Sequence, residues 1–195
     1  MTLPTPLFLQ CVPQAQFDVV ILRDPAKLYY LTGIAQYGDS LDAVLKHLVR
    51  DIDFNRYVDV RCLSTSAGGA AALYAGMALG AKRTIAIAGT YPPDEAAKLA
   101  GRGRPDLTGM ELLPLTVLRQ PPTPEPTESV AIFGGKNDLD RKRAQRLQAH
   151  IPSLKTVAMG DLEDHMLLQY LAYRQQLPSF FDAYLCPDAP NWGLT

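Results

Sequence analysis

Val60-Arg61-Cys62-Leu63-Ser64-Thr65-Ser66-Ala67-Gly68-Gly69-Ala70 is the stretch on which the fold turns. An apolar run leads into a cluster of small and hydroxyl residues, and an Ala/Gly-rich stretch follows at once. This is the pattern of a nucleophile elbow: a strand, one sharp turn carrying the nucleophile, and an immediate helix. The residues two before and two after the nucleophile must be small, because strand and helix backbones pass closely there. Ser64 and Gly68 meet that need around Ser66. The backbone N–H of Ala67 would then head the helix, where amides and the helix dipole favour a developing oxyanion. There is no Gly-x-x-x-x-Gly-Lys and no Gly-x-Gly-x-x-Gly, so a nucleotide-phosphate loop is a poor fit.

Outward from this turn, short apolar runs alternate with amphipathic stretches. Residues 7–11, 17–23 (FDVVILR), 58–63, 83–88, 129–133 and 155–159 read as strands, with Asp24-Pro25 as a turn signal. Residues 40–49 place Leu41, Val44, Leu45 and Leu48 on one helical face, with Ser40 as N-cap. Residues 68–79, 140–150 and 165–172 read as further helices. Strand alternating with helix at this spacing predicts a three-layer α/β/α sandwich with a mostly parallel sheet of five or six strands. Residues 58–63 are expected inside that sheet, not at its edge. The chain of 195 residues is expected to form a single domain over 1–195 without a large lid. Its one irregular part is a Pro-rich segment at about 89–128, holding at most a short helix capped by Asp94 and ending near Leu99.

A serine nucleophile needs a base, and there are only three histidines. His47 falls inside an amphipathic helix before Ser66 and reads as a surface residue. His150 ends a helix and suits the negative end of its dipole. His165 follows the last strand, past Gly160-Asp161-Leu162-Glu163-Asp164, and is the candidate base. The orienting acid should come from the loop after residues 129–133, where Asp138 and Asp140 both stand. Asp140 sits where an N-cap belongs, so Asp138 is the preferred acid and Asp140 the alternative. A second oxyanion donor is expected on the loop after the first strand, at Val12.

Bulk composition narrows the classes. A hydrophobic content of 47% and a charged content of 20% are ordinary for a globular chain. A net charge of −1 gives no electrostatic case for nucleic acid or an anionic membrane. The apolar runs are too short to span a bilayer, and the first dozen residues lack the pattern of a signal peptide. Cys11, Cys62 and Cys186 are widely spaced and match no zinc or redox motif, so no metal and no cofactor is expected. They read as reduced thiols, which favours a cytoplasmic location.

Several of these pieces together resemble the α/β-hydrolase superfamily. More narrowly, they resemble small bacterial hydrolase-like proteins often encoded with glycan or capsule machinery. The resemblance rests on Leu22-Arg23-Asp24-Pro25 followed by Tyr29-Tyr30 and Gly33, and on Ser64-x-Ser66-Ala67-Gly68-Gly69 with Ala71 and Leu73. Ile85-Ala86 leading to Pro93, Asn137-x-x-Asp140 with Ala144, and Ile151-Pro152 before His165 and Leu168 extend it over residues 17–185. Such relatives usually carry Gly and Met where this chain has Ser64 and Ala67. The resemblance implies a serine hydrolase of esters or thioesters with Ser66 and His165 in the leading roles. Its substrate would be a small-molecule or glycan-linked acyl group, with an acylated carbohydrate one example. Among such relatives the regular aspartate matches Asp140. The competing reading is a binding or scaffold protein that keeps the fold without the chemistry.

Overall fold

The computed structural model describes residues 4–12, 15–90 and 128–186. The chain divides into two compact units, one of residues 1–22 with 166–195 and one of residues 23–165. In chain order the described elements are α1 (Thr5–Cys11), α2 (Leu41–Asp51), β1 (Arg61–Thr65), α3 (Gly69–Ala78) and β2 (Arg83–Ile87). They continue with β3 (Glu128–Gly134), α4 (Asp138–His150), β4 (Lys155–Met159), α5 (Leu167–Tyr173) and α6 (Leu177–Tyr184).

The larger unit is an α/β structure. Among the described residues its sheet has four strands in the order β1-β2-β3-β4, every neighbouring pair parallel. Parallel neighbours need a crossover, and right-handed crossovers that advance across a sheet in one direction land on one face. α3 and α4 do so. Ala70 and Leu73 of α3, and Ala144 and Leu147 of α4, share one core with Ala86, Ala131 and Phe133 of the sheet. Side chains alternate along a strand, so Ile85, Ile87, Val130 and Ile132 point the other way, and all are buried too. β2 and β3 therefore read as continuous apolar runs, as interior parallel strands do.

β1 lies at one edge of the described sheet, where residues 58–63 were expected to be flanked on both sides. Residues 17–23, also expected as a strand, form no ladder among the described residues despite their β-rich composition, and Val20 and Ile21 are exposed. Strand propensity reflects a fit to a pleated neighbour, and without that neighbour it specifies nothing. α2 meets the expectation closely: Ser40 Oγ accepts from the Ala43 N–H at 3.2 Å, and Leu41 and Leu45 pack on Ala71, Tyr74 and Ala78 of α3.

The smaller unit corrects another expectation. Residues 7–11 are not a strand but part of helix α1, which opens with a proline in its first turn. A short apolar run carries no period long enough to separate strand from helix, and proline suits the start of a helix. Phe8 meets Phe181 of α6 edge to face, with ring centroids 5.5 Å apart. α6 itself was not anticipated; Gln175 at φ 55° turns the chain between α5 and α6.

The expected helix near residue 94 and the rest of the Pro-rich segment lie outside the described residues. Among the described residues no helix is long and apolar enough to cross a membrane.

Candidate active site

Ser66 follows the last residue of β1 and opens the 3-10 turn Ser66–Gly68 that leads straight into α3. Its φ is 49°, left-handed backbone that a residue with a Cβ adopts at a cost. Two features hold it there. The Ser66 carbonyl accepts from the Thr90 N–H at 3.0 Å and from the Thr90 hydroxyl at 3.3 Å. The helix that follows is pressed on the end of β2, since a Cβ on Gly69 would stand 2.5 Å from the Gly89 Cα. Gly68 is small for a related reason: a Cβ there would meet Ser64 Oγ at 2.0 Å. The serine side chain at position 64 takes the space that a side chain at position 68 would need.

His165 sits in the loop after β4, two residues before α5 begins, so its ring is not committed to a helix face. Ser66 Oγ and His165 Nε2 are 2.8 Å apart. His165 Nδ1 lies 2.9 and 2.8 Å from the two carboxylate oxygens of Asp140. An ionised carboxylate only accepts, so Nδ1 carries the proton and donates it. Nε2 then presents a lone pair, and the Ser66 hydroxyl donates to it. The carboxylate is deeply buried while the imidazole is about one third exposed.

The carboxylate beside His165 is not the one preferred from the sequence. Asp138, the preferred candidate, is exposed and pairs with Arg141 on the same helix. Asp140 is the residue on the imidazole. The reason lies in the cap: Asn137, not Asp140, is the N-cap of α4, and its Oδ1 accepts from the Asp140 N–H at 3.0 Å. Asp140 stands at the third helical position with its carboxylate free to turn outward from the helix axis. Asparagine ranks among the best N-cap residues, so the signal was present in Asn137-Asp138-Leu139-Asp140. Asn137 does a second job. Its Nδ2 donates to the Glu163 carbonyl at 2.9 Å, and the Gly135 and Lys136 N–H groups donate to the Met159 and Leu162 carbonyls. The acid loop and the histidine loop are stitched together by their backbones.

Ala67 lies in the 3-10 turn directly after Ser66, at the head of α3. Val12 does not follow a strand. It is the C-cap of α1 in the smaller unit. His47 is on α2, paired with Asp51 and edge-on to Tyr37. His150 is the last residue of α4. Among the described residues no group of three or more histidine, cysteine, aspartate or glutamate side chains is placed to hold a metal. Burial pushes the Cys62 thiol, on β1 beside the elbow, up to about 12. A thiol that resists ionisation is a poor nucleophile. No protein-family model, no curated protein and no solved structure matches this chain.

Proposed function

We propose that this protein is a serine hydrolase that cleaves a carboxylic ester or thioester through an acyl-enzyme. One observation carries the reading: Ser66, held in left-handed backbone, lies 2.8 Å from His165 Nε2, while Nδ1 of the same ring lies 2.8 Å from buried Asp140. Ser66 Oγ attacks the carbonyl carbon as its proton passes to His165 Nε2. The carbonyl oxygen becomes an oxyanion beside the Ala67 N–H. Collapse breaks the bond to the leaving oxygen or sulfur, which departs with the proton from His165. Water then attacks the acyl-serine, His165 takes its proton, and the acid product leaves with Ser66 restored. Asp140 holds the imidazole tautomer and steadies the imidazolium formed at each stage.

The resemblance to α/β-hydrolases noted in the sequence supports the same reading, with an acylated carbohydrate as one candidate substrate. The burial of both faces of β2 and β3 supports a three-layer sandwich, and the strand pattern of the sequence is the support for a sheet of five or six strands. Cys11 and Cys62, which form no disulfide, support a cytoplasmic setting. A fluorophosphonate probe tests the function directly. Labelling confined to Ser66, lost in Ser66→Ala and in His165→Ala, is the expected result. A folded protein that takes up no probe would leave the binding or scaffold reading in its place.

A further inference from the structure

Asp140 is a carboxylate with 1% of its side chain exposed, and a buried anion is costly unless a cation balances it. His165 does not supply that cation in the resting site, because a base waiting for the Ser66 proton is neutral. Arg143 does. Its Nη1 lies 3.2 Å from Asp140 Oδ1, and its own side chain is only 9% exposed. The two stand three residues apart on α4, so they share one face and the helix backbone sets their separation. Oδ1 is also 2.9 Å from His165 Nδ1, so guanidinium and imidazole grip the same oxygen. Rotation of the carboxylate is restricted from both sides. The other acid–arginine pair of this helix, Asp138 with Arg141, is exposed and touches nothing in the triad that these distances define.

We propose that Arg143 is a positioning residue of the triad, holding the Asp140 carboxylate against His165 Nδ1 and balancing its charge while the imidazole is neutral. The role rests on the serine-hydrolase reading. When His165 takes the serine proton, Asp140 becomes shared between two cations, and Arg143 keeps it in line through that change. Among the described residues the bonded partners of His165 are the Ser66 hydroxyl from the elbow and the Asp140 carboxylate from α4, and Asp140 is bonded in turn by Arg143 of the same helix. Of these, only Arg143 is a cation bonded to Asp140 in the resting arrangement.

The test pairs a spectroscopic signature with kinetics on the full chain. The proton of a His165 Nδ1–H bonded to a carboxylate resonates downfield of the amide envelope and is assigned by its loss in His165→Asn. Arg143→Met is expected to weaken or abolish that resonance. It should slow fluorophosphonate labelling of Ser66 by on the order of 10- to 100-fold, the scale of a small misplacement in an active site. On a p-nitrophenyl ester kcat should fall by the same factor while KM stays within about twofold. Arg143→Lys keeps the charge without the planar fork and should recover part of the loss. Arg141→Met should change nothing. A folded Arg143→Met with the wild-type resonance and labelling rate overturns the proposal. Should that variant fail to fold, Arg143→Lys decides: an altered resonance with lowered kcat at constant KM supports it, and wild-type behaviour overturns it. If the wild-type protein takes up no probe but the resonance depends on Arg143, the hydrolase reading fails and the positioning role stands. Labelling that proceeds with a resonance indifferent to Arg143 is the reverse result.

Discussion

Ser66 is asked to do two things that oppose each other. Its side chain must reach His165, and its backbone must sit at φ 49°, where a Cβ crowds the following carbonyl. Two variants separate these demands. Ser66→Ala and Ser66→Gly both remove the hydroxyl, so both should lose all labelling and all esterase activity. They differ by one methyl group, whose main effect at this φ is on the backbone, and Ser66→Gly should be the more stable by about 1 kcal/mol in urea unfolding. A glycine variant no more stable than the alanine one would show that the elbow is not strained in solution. Asp140 gives the second prediction at this scale. Asp140→Asn should leave the fold cooperative yet lower kcat by about 10^4-fold, the size of effect an acid-to-amide exchange has in a serine triad. Asp138→Asn serves as its contrast, because its partner is the exposed Arg141 rather than the imidazole.

At the scale of elements, two junctions place the site. The first is the β1–α3 elbow, where Gly69 lets the helix approach the end of β2. Its φ is that of an ordinary helix, −58°, so alanine would suit the backbone. The obstacle is the Gly89 backbone, 2.5 Å from where the new Cβ would fall. Gly69→Ala should therefore destabilise the protein by about 1–3 kcal/mol, as overpacking does. A melting temperature equal to wild type would mean that helix and strand separate without cost. The second junction is the cap of α4. Asn137→Ala removes both the bond to the Asp140 N–H and the tie to the Glu163 carbonyl. Loss of a cap costs about 1 kcal/mol. Because the same side chain joins the acid loop to the histidine loop, labelling of Ser66 should slow as well. Asn137→Asp, which can still cap but cannot donate to Glu163, should regain stability more than rate.

For the whole molecule, alkaline pH offers a readout of how the core around β1 is packed. The Cys62 thiol has an ordinary value of 9.0 and is pushed up to about 12 by burial. Between those values the unfolded chain gives up a proton that the folded one keeps. Stability should be unaffected by this group below pH 9.0 and should decline as the pH rises from there towards 12. Burial raises the Cys11 thiol and, with the Asp24 charge, the Tyr30 phenol, so part of the decline should persist without Cys62. Urea midpoints measured across this range should fall less steeply for Cys62→Ala than for wild type. Equal slopes would mean that the Cys62 thiol ionises freely in the folded state. In the native protein Cys62 should also resist thiol reagents and react only after denaturation.

Much of this protein was legible in its residues. The order strand, elbow, helix around Ser66 needs only local features: an apolar run, one turn of small residues and an Ala/Gly helix. The central strands β2 and β3 were equally plain, because strands buried on both faces are apolar without alternation. His165 stood out by elimination among three histidines and by following the last strand. Tertiary structure decided the rest. Whether residues 17–23 pair as a strand depends on a neighbour that no local pattern specifies, and residues 7–11 are too short for a period to show. The choice between Asp138 and Asp140 could not be made from spacing, since they lie two residues apart in one loop. Which of the two carboxylates reaches His165 follows from which side chain took the cap. Once Asn137 bonded the Asp140 N–H, the Asp140 carboxylate was left to face His165, and that outcome depends on how α4, the histidine loop and the elbow meet in space.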